Sequence, residues 1–334
     1  MRKILSALYE HQYLSREKAR DVLVNIGEGL YNDCMIASLL SVYLMRSITI
    51  EELTGFRDAL LEMCIRVDLS DYDPVDIVGT GGDNKNTFNI STLSCLVLAG
   101  AGYIVAKHGN YGSSSVSGAS NVLEQYGVKF TNNPDQLRRC IEKSNFCFMH
   151  APLFNPVMKA VAPVRKALGV RTFFNLLGPL VNPSFPRHQV LGVYNLKMAR
   201  LYNYMYQAQK DVNYSIVYSL DGYDEVSLTS DFKWISNDHE ELLSPEMLGF
   251  PTHSQIELFA GNTPAEAAVI FDHVLHGIAI PAQMNTVVAN SAVSIKTIRR
   301  EKSIENCLAE AHDSLYEGKA LMAFNKFVQV TNSK

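Results

Sequence analysis

The sequence predicts an α/β protein in which a mostly parallel sheet is flanked by helices and preceded by a small all-helical domain. Three observations carry this. Residues 2 to about 66 contain only helical signals. From Asp76 onward, short apolar runs alternate with helical stretches, which is the pattern of right-handed βαβ crossovers. Two of those runs end in polar, glycine-bearing loops, Gly79-Thr80-Gly81-Gly82-Asp83 and Lys107-His108-Gly109-Asn110, as expected at the carboxyl edge of a parallel sheet. The boundary is placed at about residue 70, giving a helical domain over 1–70 and an α/β domain over 71–334.

In the helical domain, Ser15 is positioned to cap a helix from Arg16 to Ile26, and Asn32 one from Asp33 to Met45. Thr49-Ile50-Glu51-Glu52 is a capping box opening a helix to Ile65. Leu39, Leu40, Val42, Tyr43 and Leu44 make the second helix apolar nearly all round, so it is expected to pack on both sides, within the domain or against another subunit. In the α/β domain, strands are expected at 75–78, 103–106, 128–130, 146–149, 189–193 and 215–218. Helices are expected near 90–101, 117–126, 134–144, 156–167 and 197–210. Lys233-Trp234-Ile235 reads as an antiparallel excursion. Thr263-Pro264-Ala265-Glu266 then starts a helical tail, with an N-cap, a first-turn proline and a capping glutamate. Helices fill 264–277, 282–297 and most of 301–330.

The 334 residues suffice for a large core, and 47% apolar with 19% charged residues is an ordinary globular balance. The net charge of −4 exerts no global pull on nucleic acid or anionic membrane. No apolar run approaches a membrane span and Glu10, His11 and Gln12 interrupt the start, so the expected location is cytoplasmic. The six cysteines, at 34, 64, 95, 140, 147 and 307, lack C-x-x-C or zinc-ligand spacing and are expected to be buried reduced thiols.

The glycine loop lies between a strand and the helix opening at Thr87-Phe88-Asn89-Ile90-Ser91-Thr92. Glycines admit close backbone approach and positive φ, and helix N–H groups attract phosphate. Asp83 would repel that phosphate unless it meets ribose hydroxyls or a metal ion, which suggests a sugar phosphate. The loop has neither the G-x-G-x-x-G spacing of dinucleotide sites nor the G-K-[ST] ending of a P-loop. The second loop, continuing through Tyr111-Gly112-Ser113-Ser114-Ser115, is dense in small hydrogen-bonding groups, with Lys107 as a point charge for phosphate. Asp221-Gly222-Tyr223-Asp224-Glu225 follows another strand and offers hard oxygen ligands suited to Mg²⁺; the alternative is a solvated acidic turn. Arg165, in apolar company, is costly unless paired or holding an anion, and its fork suits a carboxylate; the alternative is a structural salt bridge. His108 and His150 are candidates to assist an amine or to act as hydrogen-bonded structural groups. No nucleophile elbow is present around the serines.

Taken together, GTGGD at 79–83, NIST at 89–92, KHGN at 107–110, Ser114-Ser115, Ser117-Gly118, the run from Pro163 to Pro183 and DGYDE at 221–225 resemble the anthranilate phosphoribosyltransferase family over essentially the whole chain. The resemblance implies transfer of the phosphoribosyl group of phosphoribosyl pyrophosphate to the amine of anthranilate, in tryptophan biosynthesis. It also implies a class III phosphoribosyltransferase fold, usually homodimeric, in which helices from about 156–182 join the small domain. By position, Gly79, Gly82, Asp83, Thr87, Asn89, Ile90, Ser91, Thr92, residues 107–115 and Ala119 would bind phosphoribosyl pyrophosphate. Ser91, Asp224 and Glu225 would bind Mg²⁺, and Gly79, Asn110 and Arg165 would contact anthranilate. Asn110, Arg165 and His108 are the expected catalytic groups.

The chain departs from the family pattern in places. Tyr111-Gly112 stands where arginine commonly follows KHGN, Ala119 for a usual serine, Asn121 for an aspartate, Tyr218-Ser219 for a histidine-glycine pair and Asn155 for a histidine. The nearest rival is a pyrimidine nucleoside phosphorylase. A non-catalytic nucleic-acid-binding relative would show eroded loops and a basic surface, which this chain lacks.

Overall fold

A computed structural model describes residues 1–112 and 115–333, which form two compact units. The first comprises Met1–Arg66 and Ala151–Pro183, the second Val67–His150 and Ser184–Lys334.

The first unit is wholly helical, with helices Arg2–Tyr9, Arg16–Gly27, Asp33–Met45, Ile50–Glu62, Pro156–Leu168 and Phe174–Leu177. Ser15, Asn32 and Thr49 cap as their positions dictate, each side chain accepting a backbone N–H two or three residues into its helix. Asn155 caps Pro156–Leu168, its Oδ1 accepting from Met158 N at 3.1 Å. A carboxamide there satisfies one of the donors that a helix start leaves open. Tyr43, Phe56, Phe173 and Phe174 form the aromatic centre, with Phe56 and Phe173 stacked at 4.6 Å.

Glu52 does more than close its capping box. Fully buried, it accepts from Leu14 N and Tyr43 Oη, both at 3.0 Å, from Thr49 N and Oγ1, and from both terminal nitrogens of Arg46. Burial alone would raise its pKa, but the bonds from Arg46, Leu14 and Thr49 outweigh burial and hold the carboxyl below its ordinary range.

The second unit is built on a seven-stranded sheet. Its strands are β1 (Val75–Gly79), β2 (Val105–Gly109), β3 (Phe146–His150), β4 (His188–Gly192), β5 (Asn213–Ser219), β6 (Phe232–Ser236) and β7 (Glu240–Leu243). The spatial order is β3-β2-β1-β4-β5-β6-β7. The first five strands are parallel; β6 and β7 return antiparallel at one edge. The excursion expected at Lys233 is thus one arm of a hairpin. Helices Ile90–Gly100 and Pro281–Ile298 are buried over most of their residues. The C-terminal helical stretch divides into Ile304–Tyr316 and Lys319–Asn332, broken at Gly318, whose φ is +74°.

Three expectations are corrected. Residues 128–130 are not a strand: β3 is the sheet edge, and the Phe130 ring instead packs on Phe148 and stacks on His150 at 4.6 Å. The second strand starts at Val105 and runs to Gly109, so Lys107 and His108 belong to the sheet rather than to the loop after it. The cysteines are free, but Cys34 is exposed and Cys64 half-buried, because Cys34 lies in the first turn of its helix, off the face that carries Ile36, Leu39 and Leu40. Among the described residues, no helix is long and apolar enough to cross a membrane.

Glu52→Ala would remove the carboxylate that accepts from the Tyr43 hydroxyl and the Arg46 guanidinium, leaving the latter the Ser47 carbonyl alone as acceptor among the described residues, and should cost about 3–5 kcal/mol, read from urea denaturation followed by circular dichroism. Because the folded-state pKa is depressed, the contribution of Glu52 is complete above its unfolded pKa and should be lost as pH falls through the folded value.

Candidate functional site

In the second unit the chemistry-bearing residues gather where β1, β2, β4 and β5 end. Gly79, the last residue of β1, is paired with Gly192, the last of β4. A Cβ on Gly79 would lie 2.4 Å from Asp224 Oδ2, and one on Gly192 would lie 1.7 Å from the Asp224 carbonyl oxygen. Both glycines therefore make room for the acidic turn. Gly81 N donates to Asp224 Oδ2 at 2.6 Å, and positive φ values of +62° at Gly81 and +72° at Gly82 give the loop the curvature that presents this amide.

The acidic turn is anchored from behind. Ser219 Oγ donates to the Glu225 carbonyl at 2.7 Å, while Asn290 accepts from Val226 N and donates to Val226 O. Asp224 is buried, and Glu225, half-buried as a residue, has its Oε2 shut off from solvent. The solvated-turn alternative is thereby excluded. Burial, and then the charge of Asp83, push the Asp224 carboxyl up to about 7. Burial also raises Asp83 and, with Asp224 and Asp83, holds Glu225 well above its ordinary value; Lys107 and the Ser91 amide pull Glu225 the other way.

Several buried polar atoms around these loops have no partner: Thr80 Oγ1, Asn89 Nδ2, Thr92 Oγ1, Asp83 Oδ2 and Glu225 Oε2. Unpartnered buried polar atoms are rare, and here two hydroxyls and an amide sit beside two carboxylate oxygens. The first group suits phosphate oxygens, the second a cation or sugar hydroxyls. Asn89 also caps helix Ile90–Gly100, its Oδ1 accepting from Thr92 N at 3.1 Å, which leaves the Nδ2 donor unused. Among the described residues no three His, Cys, Asp or Glu side chains converge as metal ligands. The fit to Mg²⁺ nevertheless holds, because that ion binds through one or two carboxylates and completes its shell with water and substrate phosphate.

The remaining sequence candidates divide. The Lys107 ammonium is not a surface charge: it donates to the Ile77 carbonyl at 2.6 Å and to Ser91 Oγ at 3.2 Å, because strand alternation turns the side chain into the unit. His108 Nδ1 lies 2.6 Å from Asp76 Oδ2, a buried pair on adjacent strands. Ile90 is buried and offers only backbone; Ala119, lacking the serine hydroxyl, likewise. Thr87 O accepts from Ser117 Oγ. Asn110 is exposed, its Oδ1 bonded to Tyr111 N at 2.8 Å. Tyr111 Oη donates to Glu124 at 2.6 Å while its ring meets the edge of His150, whose Nδ1 is bonded to Ser120 Oγ and whose pKa burial lowers. Gly112 N donates to Asn121 Oδ1 at 2.9 Å. Ser115 is half-buried, and its carbonyl oxygen would lie 2.3 Å from a Cβ on Gly112. Ser113 and Ser114 lie outside the described residues.

Arg165 belongs to the helical unit. It is half-buried, its pKa lowered by burial, with Asn175 Oδ1 at 3.3 Å and the Phe174 ring 5.4 Å from its guanidinium carbon. Among the described residues no carboxylate stands within ion-pair distance of it, so the salt-bridge alternative fails.

Sequence reasoning missed Asp76, Ser219, Asn290 and Asn86 as positioning groups. Asp76 alone had a readable signal: a carboxylate inside a buried parallel strand requires a partner.

The model described as the glycosyl transferase family a/b domain matches residues 71–321, and that of the family's helical bundle domain matches 2–64. Among curated proteins, the anthranilate phosphoribosyltransferase of Bacteroides thetaiotaomicron is 57% identical over 332 residues, 99% of this chain and 100% of the relative. That of Bacteroides fragilis is 58% identical over 330 residues, 99% of each. Among solved structures, anthranilate phosphoribosyltransferase from Thermus thermophilus aligns with a TM-score of 0.91 at 30% identity, covering 98% of this chain and 99% of that one. The Saccharomyces cerevisiae enzyme in complex with PRPP and Mg aligns at 0.88 and 28% identity, covering 96% and 94%.

Gly192→Ala should displace the acidic turn, since a methyl group cannot occupy the position of the Asp224 carbonyl oxygen. The expected result is a folded protein with phosphate-ligand affinity reduced at least about ten-fold, measured by calorimetric titration with pyrophosphate and Mg²⁺.

Proposed function

The chain belongs to the anthranilate phosphoribosyltransferase family, and from that premise we propose that it transfers the 5-phosphoribosyl group of phosphoribosyl pyrophosphate to the amine of anthranilate, releasing pyrophosphate, as a step of tryptophan biosynthesis. The observation that carries this reading is the set of unpartnered buried donors and carboxylate oxygens beside the glycine loop. A sugar pyrophosphate with its metal ion answers both halves of that set.

In this reading the backbone of 79–83, the Asn89 amide and the Thr80 and Thr92 hydroxyls bind phosphate and pyrophosphate oxygens. The side chains of Asp224 and Glu225, with Ser91, would hold Mg²⁺, which supplies positive charge against the departing pyrophosphate. Lys107 keeps the Ser91 hydroxyl oriented and tempers the charge of Glu225. The anomeric carbon becomes electron-poor as its bond to pyrophosphate breaks, so stabilising the leaving group and positioning the weakly basic amine are the main demands, and no covalent intermediate is needed. Arg165, a guanidinium that no carboxylate of the chain neutralises among the described residues, would receive the anthranilate carboxylate in a two-pronged contact. Asn110 and His108 would assist at the amine, His108 being oriented by Asp76.

A homodimer is part of the same proposal. Leu44 and Met45, at the end of helix Asp33–Met45, are exposed, Met45 at 89%, which suits a face covered by a second copy.

Mixing the protein with anthranilate, phosphoribosyl pyrophosphate and Mg²⁺ should give decay of anthranilate fluorescence that EDTA abolishes; persistence of the signal with folded protein would defeat the assignment. Arg165→Ala should raise the anthranilate KM at least about 100-fold, or about 2.7 kcal/mol, with much less change for phosphoribosyl pyrophosphate. Equal loss for both substrates would remove Arg165 from carboxylate recognition.

A further inference from the structure

Asn86 lies within the glycine loop but outside every motif that the resemblance singles out, and it joins three segments of the second unit. Its Oδ1 accepts from Val116 N at 3.2 Å, its Nδ2 donates to the Gly261 carbonyl at 2.9 Å, and its own carbonyl accepts from Ala260 N at 2.9 Å. Its φ of +47° places it in the left-handed region, where asparagine is among the better tolerated non-glycine residues. Next to it, Ser117 Oγ donates to the Thr87 carbonyl, so the loop after β2 is held to the glycine loop at two successive residues. On the other side, Thr87 bridges to Phe259 and Phe88 N donates to Leu258 O at 3.0 Å.

We propose that Asn86 is a positioning residue that locks the loop after β2 and the 255–261 segment onto the glycine loop, so that both phosphate-facing loops meet phosphoribosyl pyrophosphate as one preorganised surface. Two of the three bonds run between backbone and a single carboxamide whose donor and acceptor ends are both used, and the third is made by the backbone carbonyl. Removing that carboxamide frees the Val116 amide and the Gly261 carbonyl together and leaves the loop after β2 with the Ser117 contact. Ordering of that loop must then accompany binding, and its entropy is subtracted from affinity. The inference rests on the proposed substrate, and it deepens that reading by assigning the coupling between its two phosphate loops.

The test is Asn86→Gly, which keeps the positive-φ backbone without strain and deletes only the side chain. Two measurements are made on the full chain: amide hydrogen exchange of the free protein, and calorimetric titration with phosphoribosyl pyrophosphate and Mg²⁺. The expected result is faster exchange confined to residues 115–118 and the chain around Gly261, where the two side-chain bonds end, with 258–260 still held by backbone bonds, an unchanged midpoint of thermal unfolding, and affinity about ten-fold weaker. Unchanged exchange in those segments, or acceleration spread over the whole unit with a lowered midpoint, would overturn the proposal. Failure of the unsubstituted protein to bind phosphoribosyl pyrophosphate would instead defeat the substrate assignment. The exchange measurement needs no ligand and decides the coupling independently.

Discussion

The site depends on one close approach: Asp224 resting against the ends of β1 and β4. Two paired glycines, Gly79 and Gly192, leave the space, and the Gly81 amide receives the carboxylate at 2.6 Å. With any side chain at these two strand ends the acidic turn would stand off the sheet, and the glycine loop would lose the acceptor that defines its curvature. Ser219 and Asn290 hold the turn from the far side. The carboxylates are thus gathered by backbone packing, against their mutual repulsion.

Three carboxyl groups are crowded together there. Burial raises the pKa of all three carboxyls, Asp83 raises Asp224 further, and both raise Glu225, while Asp83 Oδ2 and Glu225 Oε2 lack any donor. Lys107 from β2 supplies counter-charge to Glu225 and Lys85 to Asp83, too little to balance three carboxyl groups. The helical unit offers the contrast. Glu52 is equally buried, yet every lone-pair direction is answered by Arg46, Tyr43, Leu14 or Thr49, and its pKa falls. A saturated carboxylate stabilises a fold; an unsaturated one beside free donors is prepared for a ligand.

Four of the departures from the family pattern acquire local partners. Tyr111 is tied to Glu124 and packed on His150, Asn121 accepts from Gly112 N, Asn155 caps a helix, and Ser219 anchors the acidic turn. The side chains at 111 and 121 make contacts that hold the first residues of the loop after β2. Ala119 contributes no side-chain polar group.

Local chemistry determined much of this protein. Helix caps at Ser15, Asn32 and Thr49, the alternation of strands and helices from Asp76, and the glycine and acidic loops were legible because each rests on residues a few positions apart. The tertiary structure alone decided what those residues meet. Lys107, an expected phosphate contact, lies in the sheet as a buried donor because β2 runs three residues further than its apolar run, and residues 128–130 failed to form a strand because β3 is the edge. Asp76 opposite His108, Asn290 behind the acidic turn and Asn86 between two loops join positions 30 or more residues apart. Such pairings follow from strand order and register, which depend on how the whole sheet closes over its helices and leave no trace in the spacing along the chain.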